Sequence, residues 1–153
     1  MFWVSDTMER RHERIRAFDS REEILIGFMI SAMDFEWTLR RAVLSLSTKR
    51  TATIREALER CHGLDGYKSI WKTYVRPVHG LGLPAVIPQW KELREKAFKL
   101  RHKLAHGARG SASSDYARER RELFLASSKA LIDYALSKDV DLYRRLKVRL
   151  KDR

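Results

Sequence analysis

The sequence predicts an all-α fold: a bundle of four to five principal helices, with an additional short helix and a Pro/Gly loop. Three observations carry this. Apolar residues recur at steps of three and four over most of the chain, which is the spacing of a buried helix face. Capping residues precede these runs, as Asp19 and Ser20 do just before Glu22 and Glu23. No segment survives as a strand candidate. With 153 residues, 44% of them hydrophobic, the chain reads as one domain, 1–153, able to bury about two-thirds of its unfolded surface.

Residues 1–19 read as a basic N-terminal arm carrying Arg10, Arg11, Arg14 and Arg16, helical after a cap at Ser5 or Asp6. The next helix, residues 21–47, is the longest pattern. At 100° per residue, Gly27, Ser31, Asp34, Thr38, Arg41 and Ser45 share one narrow polar face. Leu25, Phe28, Ala32, Phe35, Leu39 and Leu46 lie on one flank; Ile26, Ile30, Trp37 and Leu44 lie on the other. An apolar arc that wide exceeds what one neighbour covers, and predicts a central helix or one that also packs on a second subunit. Glu36 falls inside the arc, where a carboxylate needs a partner; Arg40 is the local candidate and Arg101 the distant one.

A short helix is expected over 51–62, a turn over 63–66 and another short helix over 67–76. Tyr67, Trp71 and Tyr74 stand at helical spacing and are assigned to the core rather than to base stacking. All three prolines lie in 77–88 with Gly80 and Gly82, a loop dividing the two halves of the bundle. Its Leu81, Leu83, Val86 and Ile87 predict that it packs down. Gly80-Leu81-Gly82 lacks the third glycine, the lysine and the strand of a phosphate loop. A further amphipathic run starts near Gln89, with Trp90, Leu93, Ala97, Leu100 and Leu104 as its stripe, and Gly107 stops it. After a polar loop, Ser114 or Asp115 caps a helix whose inner face is Leu123, Ser127, Ala130 and Tyr134. Asp139 is expected to restart a basic C-terminal helix, 139–153, with Leu142, Leu146 and Leu150 beside Arg144, Arg145, Lys147, Arg149 and Lys151. Its narrow apolar face favours docking on the bundle or RNA over a membrane surface.

The net charge of +12, with a pI near 10.2, points to a polyanionic partner, nucleic acid first. Cys61 is the single cysteine, so no disulfide can form within the chain, which suits a reducing cytoplasm. The apolar run at the N-terminus is too short for a signal peptide, and no run of about 18 apolar residues occurs. A soluble, cytoplasmic protein with no membrane partner is expected.

The chemistry concentrates in Leu100-Arg101-His102-Lys103-Leu104-Ala105-His106-Gly107. Arg101 and His106 stand at the end of a helix, off its apolar stripe. A guanidinium is always charged and suits phosphate; an imidazole moves a proton near neutral pH. Arg, four residues, His at a helix terminus of a small all-helical chain resembles the HEPN family of RNases. That family's pattern is Arg, four to six residues, His, with a polar residue after the Arg, a slot filled here by His102.

The resemblance implies a metal-independent endoribonuclease of the toxin or antiphage-defence type, working as a homodimer without a cofactor. Arg101 and His106 would be catalytic, His102 and Glu36 supporting. RNA supplies its own nucleophile, the 2′-OH, so cleavage needs a base, an acid and positive charge on the transition state. One His cannot readily do both proton jobs, whereas two symmetry-related copies can. The products implied are 2′,3′-cyclic phosphate and 5′-OH ends. Lys96, Lys99 and Lys103 succeed one another along the motif helix, with Arg109 after it, and are expected to track the RNA backbone.

His102 and His106 are four apart, a spacing that also serves zinc, but Lys103 stands where a metalloprotease has Glu. A third ligand from Cys61, His62 or His79 has no supporting pattern, so no metal is expected. In HEPN toxins controlled by a nucleotidyltransferase antitoxin a Tyr commonly stands two residues after the motif His. Here Ala108 does, which puts that mode of control in doubt and leaves any antitoxin or regulatory protein open. The alternative is a non-catalytic HEPN-like RNA-binding or adaptor module, against which the intact Arg101 and His106 argue.

Overall fold

The computed structural model describes residues 6–107 and 112–153, and among these all regular structure is helical. The elements are α1 (Met8–Ala17), α2 (Ile24–Leu46), α3 (Thr51–Glu59), α4 (Gly63–Tyr74), α5 (Arg76–His79), α6 (Leu83–Val86), α7 (Trp90–Glu92), a π-helical turn (Leu93–Ala97), α8 (Phe98–Ala105) and α9 (Ser114–Leu136). No helix among the described residues is long and apolar enough to cross a membrane. The chain forms two compact units, one from Met1–Glu36 with Gln89–Lys129, the other from Trp37–Pro88 with Ala130–Arg153. Each unit takes chain from both sides of the 77–88 loop, so the loop is not the divide between them.

The first unit holds α1, the first part of α2, the π-turn with its flanking helices, and the first part of α9. Thr7, rather than Asp6, caps α1, its hydroxyl accepting from the Arg10 N–H at 3.4 Å. The chain leaving α1 passes so close to α2 that a Cβ on Gly27 would lie 2.8 Å from the Phe18 carbonyl oxygen. Four phenylalanines form the centre. Phe124 of α9 meets Phe98 at 5.3 Å, Phe28 at 5.6 Å and Phe35 at 5.7 Å between ring centroids.

The polar face of α2 is turned inward here: Ser31 and Asp34 are buried, while Ile26 and Met33 are exposed. The cause is an ion cluster. Arg11 of α1 donates from both Nε and Nη2 to Asp34 Oδ1, and His12 Nε2 lies 3.4 Å from Oδ2. Burial pushes the Asp34 carboxyl up; the neighbouring His12 ring and the Arg11 charge outweigh it and hold the carboxyl below its ordinary range.

The second unit holds the rest of α2, α3 to α6, the end of α9 and the C-terminal segment. The turn expected at 63–66 is instead the start of α4, with Asp65 in its first turn, where a carboxylate complements the helix dipole. Tyr67 and Trp71 are core residues, as their spacing predicts. The 77–88 loop does pack down: Leu83, Val86 and Ile87 are buried, and the Trp71 indole N–H donates to the Leu81 carbonyl at 3.0 Å. Leu81 itself has an exposed side chain.

The expected basic helix over 139–153 is not formed. Asp139 does not restart a helix; it ends α9 in the left-handed conformation, φ 58°. The Val140 N–H bonds to Ala135 O and the Asp139 N–H to Leu136 O, the pairing that closes a helix at its C-terminus. The segment beyond runs without regular structure, because its polar groups are taken by α2 and α3. Arg41 donates to the Leu142 and Arg144 carbonyls. Thr51 and Arg149 exchange two bonds, Thr51 N–H to Arg149 O at 3.0 Å and Arg149 N–H to the Thr51 hydroxyl at 2.8 Å. Leu142 is buried, and Tyr143 stacks on Trp37 with centroids 6.0 Å apart. In this unit Trp37, on one flank of the apolar arc of α2, is thus met by the chain's own C-terminal segment.

Candidate functional site

The motif helix is not a simple α-helix. Between α7 and α8 the chain makes an i→i+5 turn, Leu93–Ala97, with the Phe98 N–H donating to Leu93 O. Such a turn holds one residue more than an α-turn, so α8 is rotated by roughly 100° relative to an unbroken helix. The sequence stripe therefore holds at Leu93, Ala97 and Leu100, all buried, but omits Phe98, which the extra residue turns against Phe35 and Phe124. Three residues on, Arg101 is brought round to α2.

There the Arg101 Nη2 lies 3.1 Å from Glu36 Oε1. Of the two partners the sequence left open, Glu36 takes Arg101, while Arg40 donates to the Tyr67 hydroxyl at 2.8 Å. The pair is partly open to solvent, with side chains 35% and 23% exposed. The ion pair engages Nη2 alone of a guanidinium that carries five N–H donors in all.

His106 is the C-cap of α8, its N–H donating to His102 O at 3.1 Å, and Gly107 comes next at φ 64°. That is the helix stop the sequence predicts. His102 and His106 are both exposed, and their rings lie with centroids 4.4 Å apart, tilted by 51°. The shared-face expectation is met, and it places two imidazoles side by side on one chain. Among the described residues no hydrogen bond or ion pair joins Arg101 to His106, and no group of three or more His, Cys, Asp or Glu is placed to hold a metal ion.

Lys99 and Lys103 are exposed along α8. Lys96 belongs to the π-turn, and its ammonium lies 3.3 Å from Glu119 Oε1, so of the row drawn through three lysines only Lys99 and Lys103 lack an ion-pair partner among the described residues. Arg109 and Ala108 lie outside the described residues. On α2 the exposed Met33 precedes Glu36 by three residues and Ile26 precedes Met33 by seven, which sets an apolar strip on the helix face leading to the Arg101 partner.

One feature of this unit was not legible in the sequence, and a second only in part. The π-turn has no residue signature here. The Arg11–Asp34–His12 cluster was legible in part, since Asp34 is the first charge along α2, but its partners come from α1. Compared with known family models, curated proteins and solved structures, the chain shows no significant match.

Proposed function

We propose that the end of α8 is the active site of a metal-independent endoribonuclease of the HEPN type, acting in the cytoplasm as a toxin or defence effector. The observation that carries this reading is the pairing of a partly exposed Arg101 guanidinium, oriented by Glu36, with two exposed imidazoles at one helix terminus. In this reading Arg101 clamps the non-bridging phosphate oxygens and stabilises charge on the transition state. His106 takes the 2′-OH proton, and a second imidazole protonates the leaving 5′-oxygen. That attack yields the cyclic phosphate and 5′-OH ends. Lys99 and Lys103 carry the strand. A π-turn just upstream favours a functional helix, because such turns recur at functional sites.

The second imidazole comes from a second copy in the dimeric form of this reading. The exposed Ile26 and Met33 support it, as an apolar strip beside Glu36 that a partner's identical strip would cover in a two-fold pairing. His102 is the rival donor within one chain, 4.4 Å from His106. A non-catalytic RNA-binding module keeps the same lysines without the proton chemistry.

The test is cleavage of RNA in excess EDTA by purified protein. His106→Ala is expected to lower the rate by about two to four orders of magnitude while leaving the fold and RNA binding nearly unchanged, since the side chain is exposed and fills no core. His102→Ala separates the two donors: a small loss fits a partner's His106, a loss equal to that of His106→Ala fits the single-chain pair. Wild-type cleavage by the His106→Ala protein would rule the site out. RNA affinity is expected to fall steeply with salt, and charge reversal at Lys99 and Lys103 to flatten that slope.

A further inference from the structure

The second unit carries a basic cavity that the nuclease reading does not use. It has a volume of about 520 Å³ and is lined by Ser45 of α2 and by Arg144, Arg145, Lys147, Arg149 and Arg153 of the C-terminal segment. Its shape comes from how that segment is pinned. Arg41 holds the Leu142 and Arg144 carbonyls at one end. At the other, Arg149 is bonded through its backbone to Thr51 and through its guanidinium to Lys49 O at 2.9 Å and Leu44 O at 2.6 Å. The Arg153 N–H closes onto Thr48 O at 3.0 Å. Arg145, Leu146 and Lys147 line it between the pins, so the cavity is preformed rather than dependent on a mobile tail.

Most of its charge is uncompensated. Arg144 pairs with Asp141, but Arg145, Lys147, Arg149 and Arg153 have no carboxylate partner among the described residues. The side-chain bonds of Arg149 go to carbonyl oxygens, which satisfy donors without neutralising charge. Burial and the charge of Arg153 both push the Arg149 guanidinium down from its ordinary value. A preformed concavity of this size is in the range of small-molecule sites. Several unneutralised cations at its wall select a ligand with several negative charges.

The lining is not uniformly basic. Asp139 and Asp141 also line it, but Asp141 is already engaged, Oδ1 by the Tyr143 N–H at 2.9 Å and Oδ2 by Arg144 at 3.4 Å. Asp139 adds a carboxylate that accepts from hydroxyl or amino groups, and Leu136 and Leu146 add apolar surface. A bare polyanion meets only the cations; a ligand that joins a phosphate chain to hydroxyls and a flat ring meets all three kinds of lining group.

We propose that this cavity binds a nucleotide bearing two or more phosphates, with Arg145 and Lys147 on the phosphate chain and Asp139 accepting from the sugar or base. The proposal is independent of the nuclease reading, because none of these residues belongs to the unit that holds Arg101 and His106.

Calorimetry on the full chain tests it, with ATP, inorganic triphosphate and a short single-stranded RNA as separate titrants. ATP is expected to bind more tightly than triphosphate. The double variant Arg145→Ala/Lys147→Ala is expected to weaken ATP by about tenfold or more. Both side chains are exposed, so the fold is retained. Lys68→Ala/Lys72→Ala removes the same charge from exposed positions of α4 and is expected to leave ATP affinity unchanged. No heat with ATP at about 1 mM overturns the proposal. Equal affinity for triphosphate and ATP, equal loss in the two double variants, or loss of RNA binding without loss of ATP binding overturns it as well.

Discussion

Asp34 and Glu36 are two residues apart on α2, and each holds an arginine from another helix, yet the two ion pairs do different work. Arg11 and Asp34 are sealed in the first unit, with side chains 2% and 1% exposed. Arg101 and Glu36 are left 35% and 23% exposed. Two residues on a helix are about 200° apart, so one carboxylate faces the unit's interior and the other faces away from it. A sealed charge pair fixes how α1 sits on α2 and leaves no room for a ligand. A partly open pair orients a guanidinium while leaving some of its donors to an incoming anion. Exposure therefore separates an arginine that builds the fold from one available for chemistry.

The largest expected effect is at the sealed pair. Asp34→Ala strands Arg11 and is expected to cost about 3–5 kcal/mol. Urea unfolding followed by circular dichroism measures it. A cost under about 1 kcal/mol would mean that the cluster is wet, and the contrast between the two pairs would collapse.

Acid sharpens the same contrast. The Asp34 carboxyl is held below its ordinary value of 3.8, so it binds protons more weakly folded than unfolded. The stability it contributes is full above the unfolded value and is lost as pH falls through the lower folded value. The urea midpoint of the wild type is expected to drop in that acid range. Asp34→Asn cannot titrate, so its deficit relative to wild type is expected to shrink as the pH falls. A deficit that stays constant across the range would assign the acid response elsewhere, with Glu122 the next candidate: Arg16 and Arg121 hold its carboxyl down against the upward push of burial.

The smallest stability effect is expected at the open pair. With Glu36 still partly hydrated, Arg101→Ala is expected to cost about 1 kcal/mol or less, far below what a sealed carboxylate would lose. Arg101→Lys is expected to fold like the wild type and still cleave RNA poorly, because an ammonium lacks the planar fork. Unfolding curves and cleavage rates on the same preparations separate the two quantities. A loss of about 3 kcal/mol at Arg101 would class it with Arg11 as a structural residue.

The sequence by itself determined the helical class, the Gly107 stop, the common face of His102 and His106 and the packing of most of the 77–88 loop. All of these are local: they depend on spacing, caps and turn residues within a few positions of one another. It narrowed the Glu36 partner to two arginines and could go no further, because the choice depends on how α8 is rotated. Tertiary structure decided that rotation through the π-turn, where an extra residue brings Phe98 into contact with Phe35 and Phe124 and swings Arg101 toward α2. It also overrode the helical pattern after Asp139. Leu142, Leu146 and Leu150 are spaced for a helix, but the Thr51 hydroxyl, the Arg41 guanidinium and the carbonyls near the end of α2 offer that segment partners a free helix would not have. A short helix is only marginally stable by itself, so such partners, supplied by a distant part of the chain, were enough to decide its shape.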